Sequence, residues 1–233
     1  MIEDVAEMEA LLLYVARNSE HTKIWREEYQ RHDDAQKMIF LSYVSRGGHN
    51  SSSHSTIMRK FENDWPPAMS LKYLRDRVAR ACRNNDERVT THVLDIIKGL
   101  EENKVTHYKG LWCKGRHYRV RKLDENRQTF DCGIAAYFTV DFQSHVRDGN
   151  IKTDTLRYYG LIEDILELKF RYFKVVLFEA KWFKNIVVGN HPTTYMHENG
   201  FCIINNTRFE KTDEPYVFPD KCEKIFLCCH PIE

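Results

Sequence analysis

The sequence lacks any strong excess of charge and any long apolar run. Its 233 residues include 35 Lys and Arg and 34 Asp and Glu, a formal net charge of +1. This balance excludes a whole-molecule field that would draw the chain onto nucleic acid or an anionic membrane, so any such binding needs a local basic patch. No apolar run approaches the roughly 20 residues of a membrane span, and the start MIEDVAEMEA is acidic where a signal peptide is basic. We expect a soluble, intracellular protein.

Cysteine pairs at metal-binding spacing are also missing. The chain has seven cysteines, an odd number, and no CxxC pair. This argues against a disulfide framework and a zinc ribbon, and favours free thiols in a reducing compartment. Of the eleven histidines, His49 and His54 lie in the linker-like segment GGHNSSSHS. We expect no bound metal and no cofactor.

Familiar catalytic motifs are absent as well. The sequence contains no GxSxG, no P-loop, no HExxH and no GxGxxG followed by a paired helix. Cysteine and histidine pairs such as His107 with Cys113 have no supporting context. We therefore predict that the chain has no catalytic activity of its own.

The first hundred residues carry helical periodicity. Residues 84–86 separate the last two helical segments as a short turn, which predicts a helical hairpin. Residues 47–55 are of low complexity and predict a linker, and a short element at 57–65 ends at two prolines. The polar residues 27–36 are a candidate break in the second helix. The predicted helices cover residues 4–17, 22–44, 70–83 and 88–100.

The helix predicted at residues 70–83 is rich in arginine. Such a helix could present a face to nucleic acid. On a helical wheel, however, Arg77 lies away from the others and Asp76 is interposed, so a solvated helix surface is the favoured interpretation. The four arginines are Arg75, Arg77, Arg80 and Arg83.

From residue 105 the apolar pattern changes from helical to alternating. Residues 107–113 and 116–121 flank a Lys114-Gly115 turn and predict a β-hairpin, and residues 132–142 predict a further strand. Helices followed by strands favour an α+β fold over a wound α/β sheet.

The second strand of this predicted hairpin is basic, with Tyr118 among its positive charges. As a phosphate-contacting element it would supply affinity without reading sequence. The alternative is an ordinary exposed edge strand, which proteins often charge to prevent aggregation. The candidate DNA-binding residues are Arg116, Arg119, Arg121 and Lys122.

Two apolar runs, residues 158–170 and 173–183, are joined only by Arg171 and Tyr172. The second run is short and rich in β-branched and aromatic side chains, which predicts a buried strand. The first run fits either a helix or a strand. Because only two residues connect the runs, an antiparallel pair is the simplest way for each to satisfy the backbone hydrogen-bonding groups of the other. We therefore predict a β-hairpin.

The C-terminal third predicts a small SH3-like β-barrel of five short strands, because closure would remove exposed edges. A helical turn at 219–222 precedes the last strand. The predicted domains are a helical region at 1–104, a β-hairpin connecting region at 105–155 and the barrel domain at 156–233. The five strands are predicted at residues 158–170, 173–183, 200–205, 216–218 and 224–229.

An alternative binding site lies among aromatic residues of the predicted barrel. Tyr158, Tyr159 and Trp182, with Tyr172, could line a methyl-lysine cage for a histone peptide. The favoured interpretation places Trp182 in the core and the tyrosines half-buried in the sheet.

Four segments resemble one known family. They are YYGLIEDILELKF, KVVLFEAKWFKN, GFCIINNTRF and DEPYVFPDKCEKIFL, and KGRHYRVRKLDENRQTFDCGI lies upstream of them. Together they are similar to the C-terminal domain of unknown function in transposases of plant CACTA (En/Spm-type) DNA transposons. The resemblance spans roughly residues 110–229.

The resemblance implies a nuclear, transposon-derived accessory module that binds DNA or a protein, because the family's catalytic core lies upstream of the matched region. An RNase H-like core would also need converging carboxylates for two metal ions. The available aspartates do not lie in the required strand and helix order. These aspartates are Asp131, Asp141, Asp154 and Asp164.

The chain departs from the family pattern at three places. Residues 129–133 replace a glutamine-asparagine-serine-glycine tract, residues 169–172 replace a glycine-rich turn, and the segment 68–100 is longer and more helical. Three hypotheses follow: a DNA- or protein-binding accessory module, a chromatin-reader or protein-interaction module of the SH3-like class, and a relict without activity.

Overall fold

A computed structural model of the chain describes residues 5–45, 69–101, 104–124, 129–142 and 152–184, and several shorter stretches towards the C-terminus. These shorter stretches are residues 187–188, 191–192, 194–196, 202–204, 208–210 and 215–228. The linker predicted at 47–55 and the short element predicted at 57–65 lie outside the described residues.

The chain divides into two compact units. A helical unit comprises Ile2–Lys104 with Phe170–Phe173, and a strand unit comprises Val105–Lys169 with Lys174–Glu233. Apart from Phe170–Phe173, the residues predicted as a connecting region at 105–155 and as a barrel domain at 156–233 thus fall within the same strand unit. The mixed α+β composition, with a helical N-terminal half and antiparallel strands after it, is confirmed.

The described part of the helical unit contains four α-helices. Ser70 Oγ accepts from Tyr73 N at the start of the third helix, and Thr90 Oγ1 accepts from Val93 N at the start of the fourth. These side-chain caps satisfy amides that the first turn leaves without partners, which is why the fourth helix begins later than the predicted residue 88. The polar residues 27–36 do not break the second helix. The helices are α1 Val5–Asn18, α2 Lys23–Ser45, α3 Leu71–Arg83 and α4 Thr91–Lys98.

The core of the helical unit is apolar and is formed by the predicted helix stripes. Trp25 of α2 is buried in it, and Arg88 lies over the Trp25 ring at 5.0 Å. No described helix is long and apolar enough to cross a membrane. The most deeply buried apolar side chains are Leu11, Val15, Ala16, Trp25, Leu74, Val78, Val93, Ile96 and Phe170.

The strand unit is organised around one six-stranded sheet. Five strands follow the order β12-β7-β6-β5-β13, and β1 pairs with β6 beside β5. All pairs are antiparallel. The strands are β1 Val105–Tyr108, β2 Gly110–Cys113, β3 Arg116–Arg119, β4 Thr129–Phe130, β5 Gly133–Phe142, β6 Lys152–Lys169, β7 Lys174–Trp182, β8 Val187–Val188, β9 His191–Pro192, β10 Thr194–Met196, β11 Cys202–Ile204, β12 Tyr216–Val217, β13 Cys222–Lys224 and β14 Leu227–Cys228.

The predicted β6–β7 hairpin is confirmed, and the helical alternative for the first apolar run is wrong. The register shifts between Ile162 and Asp164, as in a β-bulge. Because one extra residue changes the face on which later side chains lie, Ile162 shares a face with Ile165, while Asp164 lies on the other face with Leu166 and Leu168. Asp164 Oδ2 is 2.7 Å from His107 Nδ1 of the neighbouring β1.

The arrangement of the remaining strands differs in part from the prediction. β5, predicted outside the barrel, lies in the middle of the sheet, because its ten residues pair with β6 along their whole length. β11 pairs with β10 and is not part of the six-stranded sheet. The predicted helical turn is present as a 3₁₀ turn, Pro219–Lys221, and the closing segment forms two strands, β13 and β14. The described strands do not form a closed barrel.

Candidate nucleic-acid interface

The predicted hairpin of β2 and β3 is confirmed and has a tight turn. Lys114 and Gly115 both have positive φ, 47° and 72°. This is the backbone of a type I′ turn, which glycine adopts without strain and which matches the twist of paired strands. Trp112 lies opposite His117, so these two side chains share one face. We call that face outer, because the opposite face packs on the core.

Tyr118 fixes the inner face of the hairpin. It is 2% exposed, and its ring lies 5.0 Å from the ring of Phe178 on β7. Its hydroxyl lies at the limit of a hydrogen bond, 3.5 Å from the carbonyl oxygen of Cys222. Burial raises the pKa of the Tyr118 phenol, so the hydroxyl keeps its proton and can donate. Leu111 and Cys113 pack against the same core.

Two lysines anchor the hairpin to the C-terminal segment of the strand unit. Lys114 Nζ donates to the carbonyl oxygen of Asp220 at 2.9 Å. Lys224 Nζ donates to the carbonyl oxygen of His117 at 2.7 Å and pairs with Asp131 at 2.9 Å. Because the turn and the second strand are both held, the outer face is positioned by contacts that do not involve its own side chains.

The outer face presents an exposed aromatic side chain. Trp112 is 71% exposed, and its ring is tilted by 35° against the His117 ring at 4.9 Å. A Cβ at Gly110 would lie 3.1 Å from His117 Nε2, so the absence of a side chain there makes room for the imidazole. Arg119 lies opposite Gly110 on the same face.

The surrounding segment is strongly basic. Residues 104–123 contain seven Lys and Arg and no Asp or Glu, although the whole chain carries a net charge of only +1. We call β2, β3 and the following 3₁₀ turn Arg121–Leu123 the basic hairpin. The seven cations of the segment are Lys104, Lys109, Lys114, Arg116, Arg119, Arg121 and Lys122.

The four predicted DNA-binding residues all lie in the basic hairpin, although not in one strand. Arg116 and Lys122 are exposed, and Arg119 is half-exposed. Arg121 and Lys122 were expected on the strand, but β3 ends at Arg119 and both belong to the 3₁₀ turn. Arg121 Nη1 pairs with Glu163 Oε1 at 3.0 Å. Arg116, Arg119 and Lys122 form no ion pair with any carboxylate that the structure describes.

Sequence reasoning missed Trp112 as a member of this surface, and it missed the exposed Lys109 directly before β2. The sequence did contain a signal for both residues, because they lie in the run of 20 residues, 104–123, that has no acidic side chain. Trp112 alternates with Leu111 and Cys113, so assigning the inner face to Tyr118 would have placed Trp112 outside.

The arginines of α3 are divided between packing and solvent. Arg77 pairs with the buried Glu28 of α2, and Arg75 Nε donates to the carbonyl oxygen of Ile97 at 3.1 Å. Arg80 and Arg83 are exposed. Arg75 and Arg77 thus contact other helices of the unit, and Arg80 Nε donates to the carbonyl oxygen of Asp76 in its own helix at 3.4 Å, as expected for a structural and solvated helix surface.

The aromatic residues proposed for a methyl-lysine cage are mostly buried. Trp182 is 4% exposed and contacts the Phe138 ring edge-on at 5.0 Å, so its predicted place in the core is confirmed. Tyr159 is also buried, and Tyr158 is half-buried with its ring against Phe138. The exposed Tyr172 belongs to the helical unit.

The acidic residues do not gather into a cluster within the described part of the chain. Asp131 pairs with Lys224, and Asp164 lies beside His107. Asp154 accepts from the amide of Thr155, and the side chain of Asp141 lies outside the described residues. Among the described residues, no group of three or more His, Cys, Asp and Glu side chains could hold a metal ion.

Thiol reactivity gives a direct check on the packing around the basic hairpin. Burial raises the pKa of Cys132 to about 12, with a further contribution from the Asp124 carboxylate, and burial also raises the pKa of Cys222 to about 12. At pH 8 only about one in ten thousand of these thiols is a thiolate. Cys82 on α3 is exposed.

We therefore expect iodoacetamide at pH 8 to modify Cys82 more than about a hundredfold faster than Cys132 and Cys222. In the folded chain the rate at the half-buried Cys222 should keep rising by about tenfold per pH unit up to its pKa. Peptide mapping by mass spectrometry measures the three rates, and urea-unfolded protein is the control in which they converge. Equal rates in the folded chain would contradict the described packing.

Comparison with known proteins adds no family to these observations. No family model, no curated protein and no solved structure matches the chain. The resemblance to the C-terminal domain of CACTA-type transposases therefore stays a prediction.

Proposed function

We propose that this chain is a non-catalytic nucleic-acid-binding module and that the basic hairpin is its contact surface. The observation that carries the proposal is the run of seven cations without an acidic residue in a chain of net charge +1. A surface of this kind attracts phosphates locally and releases their counterions on binding.

The geometry supports phosphate contact by particular side chains. Arg116, Arg119 and Lys122 reach solvent without an ion pair to a described carboxylate, whereas Arg121 is paired with Glu163. Unpaired cations on an anchored hairpin can bind phosphates without first breaking an internal ion pair. Contacts of this type position a protein on nucleic acid and carry little sequence information.

We further propose that the strand unit is an SH3-like barrel and that the chain derives from a CACTA-type plant transposase and acts in the nucleus. The sheet order β12-β7-β6-β5-β13 and the 3₁₀ turn Pro219–Lys221 immediately before β13 support the barrel proposal. In the proposed barrel β5 would be the first strand and β13 the last, and β13 does pair with β5. The transposase origin rests on the sequence segments within residues 110–229.

Salt-dependent binding tests the proposed function. We expect a labelled DNA duplex to bind in fluorescence anisotropy, with affinity falling by about a hundredfold between about 50 and about 200 mM salt if about four phosphates are contacted. Arg119→Ala and Lys122→Ala should each weaken binding and lower the salt slope by about 1.

The matched control is Arg80→Ala, the same chemical change at an exposed arginine of α3. It should leave both the affinity and the salt slope unchanged. If Arg80→Ala weakens binding while Arg119→Ala does not, the contact surface is on α3 and the basic hairpin is the wrong surface. If the unmodified protein binds neither duplex nor single strand at low salt, the proposed function is wrong.

A further inference from the structure

We propose that the basic hairpin binds unpaired bases, so that its preferred ligand is single-stranded nucleic acid. The inference rests on the proposed function and deepens it. Its structural basis is an exposed aromatic platform, defined as Trp112, His117 and Phe226, set among the cations of the basic hairpin.

The first observation is the exposure of two large rings. Trp112 is 71% exposed and Phe226 is 76% exposed. Large aromatic side chains dominate core and interface energetics when they are buried, and leaving both in water forgoes that stabilisation. Neither ring packs into the core of the strand unit described above, so fold stability does not explain their presence.

The second observation is that one ammonium group joins the main chain of His117 to the Phe226 ring. Lys224 Nζ donates to the main-chain carbonyl of His117 at 2.7 Å and lies 5.0 Å from the centre of the Phe226 ring. The Trp112 ring leans on the His117 ring at 4.9 Å. Phe226 is therefore connected to the hairpin through Lys224, which holds the main chain of the residue whose ring Trp112 contacts.

The platform is held in place before any ligand binds. Lys224 is largely buried and also pairs with Asp131 at 2.9 Å, and Tyr118 fixes the inner face of the hairpin below His117. A ring supported in this way loses little conformational freedom when a flat ligand stacks on it.

The chemistry of the surface matches a single strand better than a duplex. Every nucleobase has a π face, and proteins that bind single strands combine aromatic rings with a basic track along the backbone. In a duplex the bases are already stacked on one another and would have to be unstacked to reach Trp112 or Phe226. Arg119 lies on the same face of the hairpin as Trp112, where it can contact a flanking phosphate.

Binding to matched oligonucleotides tests this inference. Anisotropy is measured on labelled single-stranded DNA, single-stranded RNA and duplex DNA of equal length at one salt concentration. We expect either single strand to bind at least several-fold more tightly than the duplex, and the two single-stranded arms identify which sugar is preferred. Trp112→Ala should weaken single-strand binding by about tenfold and duplex binding by less than about twofold.

Two variants control for the loss of an exposed ring. Trp112→Phe keeps a π face and should retain most of the affinity. Tyr172→Ala removes an exposed aromatic ring from the helical unit and should change nothing. The main-chain N–H of Tyr172 donates to Asp95 Oδ2, a bond that alanine keeps. Thermal unfolding by circular dichroism should be unchanged in all three variants.

Tryptophan fluorescence supplies a second readout. Trp112 is exposed, whereas Trp25 and Trp182 are buried, and Trp65 lies outside the described residues. The Trp112→Ala variant therefore identifies the share of the quenching that comes from a base stacked on Trp112. We expect quenching by a single strand in the unmodified protein and much less in Trp112→Ala.

The outcomes separate the two proposals. If duplex and single strand bind with equal affinity and Trp112→Ala changes neither affinity, the proposal that bases stack on the aromatic platform is wrong. The proposed nucleic-acid-binding function is then still supported. If no nucleic acid binds and poly-glutamate binds in a manner sensitive to Trp112, the partner is an acidic peptide and both proposals are overturned.

Discussion

Phe178→Ala is expected to lower the free energy of unfolding of the strand unit by about 3–5 kcal/mol. Phe178 is 0% exposed and lies near the middle of β7. It pairs with Ile165 of β6 on one side and with Val217 of β12 on the other. Removing the ring opens a cavity that the surrounding strands cannot fill by a small shift, because both are held in a hydrogen-bonded ladder.

The same change should loosen the basic hairpin. The Phe178 ring lies 5.0 Å from the ring of Tyr118, which fixes the inner face of the hairpin. Hydrogen exchange in peptides from β2 and β3 should therefore accelerate together with exchange in β6 and β7. Urea unfolding and hydrogen exchange measured by mass spectrometry give the two quantities.

Phe226→Ala is the matched control for this prediction. It makes the same chemical change at a ring that is 76% exposed, and surface changes of this kind usually alter stability by about 0.5 kcal/mol or less. The two variants should thus separate folding from binding, since Phe226 is part of the proposed platform and Phe178 is not. A loss below about 1 kcal/mol in Phe178→Ala would mean that β7 is not the centre of this core.

The local elements of this fold could be predicted from sequence because their signals are local. The Lys114-Gly115 turn, the β-branched block of β7 and the helix stripes each depend on a few adjacent residues. β6 was ambiguous for a physical reason. Ile165 and Leu166 are adjacent and both buried, so the strand is covered on both faces and shows no clean alternation.

The order of the strands could not be read in the same way. β5 and β6 are separated by residues 143–151, yet β13, which follows much later in the chain, pairs with the other edge of β5. The apolar pattern of a strand does not show which distant segment pairs with it, because strand pairing depends on contacts in the completed sheet. This is why the segment at 200–205 was predicted to lie beside β7, and why the place of β5 in the sheet was not predicted.

The candidate interface was partly predictable. Arg116, Arg119, Arg121 and Lys122 stand out by charge alone, whereas the pairing of Arg121 with Glu163 depends on β6 lying beside the 3₁₀ turn. The exposure of Phe226 and its contact with Lys224 require the tertiary structure, because exposed and buried phenylalanines look alike in sequence.

Asp124→Ala is expected to destabilise the strand unit by about 2–4 kcal/mol. Asp124 is 0% exposed and directly follows the 3₁₀ turn of the basic hairpin. Its Oδ2 accepts from the main-chain N–H of Asp131 at 2.6 Å and of Cys132 at 2.9 Å. Alanine would leave both donors without an acceptor in the interior, and each unsatisfied amide costs about 1–3 kcal/mol.

Asp124→Asn separates the lost hydrogen bonds from the lost charge. The asparagine oxygen can take the place of Oδ2 and accept both amides, so only the ionic strengthening of those bonds is removed. Its NH₂ group would take the place of Oδ1, a buried atom without a hydrogen-bond partner among the described residues, and would gain no acceptor there. We expect Asp124→Asn to lower the free energy of unfolding of the strand unit by about 1 kcal/mol, which is less than the loss expected for Asp124→Ala.

The thiol of Cys132 reports this destabilisation at the site itself. Cys132 is buried beside Asp124, so a reagent reaches it only when this part of the strand unit opens. The iodoacetamide reaction at Cys132 should therefore be more than about tenfold faster in Asp124→Ala, while that at Cys82 stays unchanged. Asp220→Ala is the control, since Asp220 is exposed and its contact with Lys114 uses only its main-chain oxygen. If Asp220→Ala accelerates the reaction at Cys132 as much as Asp124→Ala does, the carboxylate of Asp124 does not stabilise the chain that follows the basic hairpin.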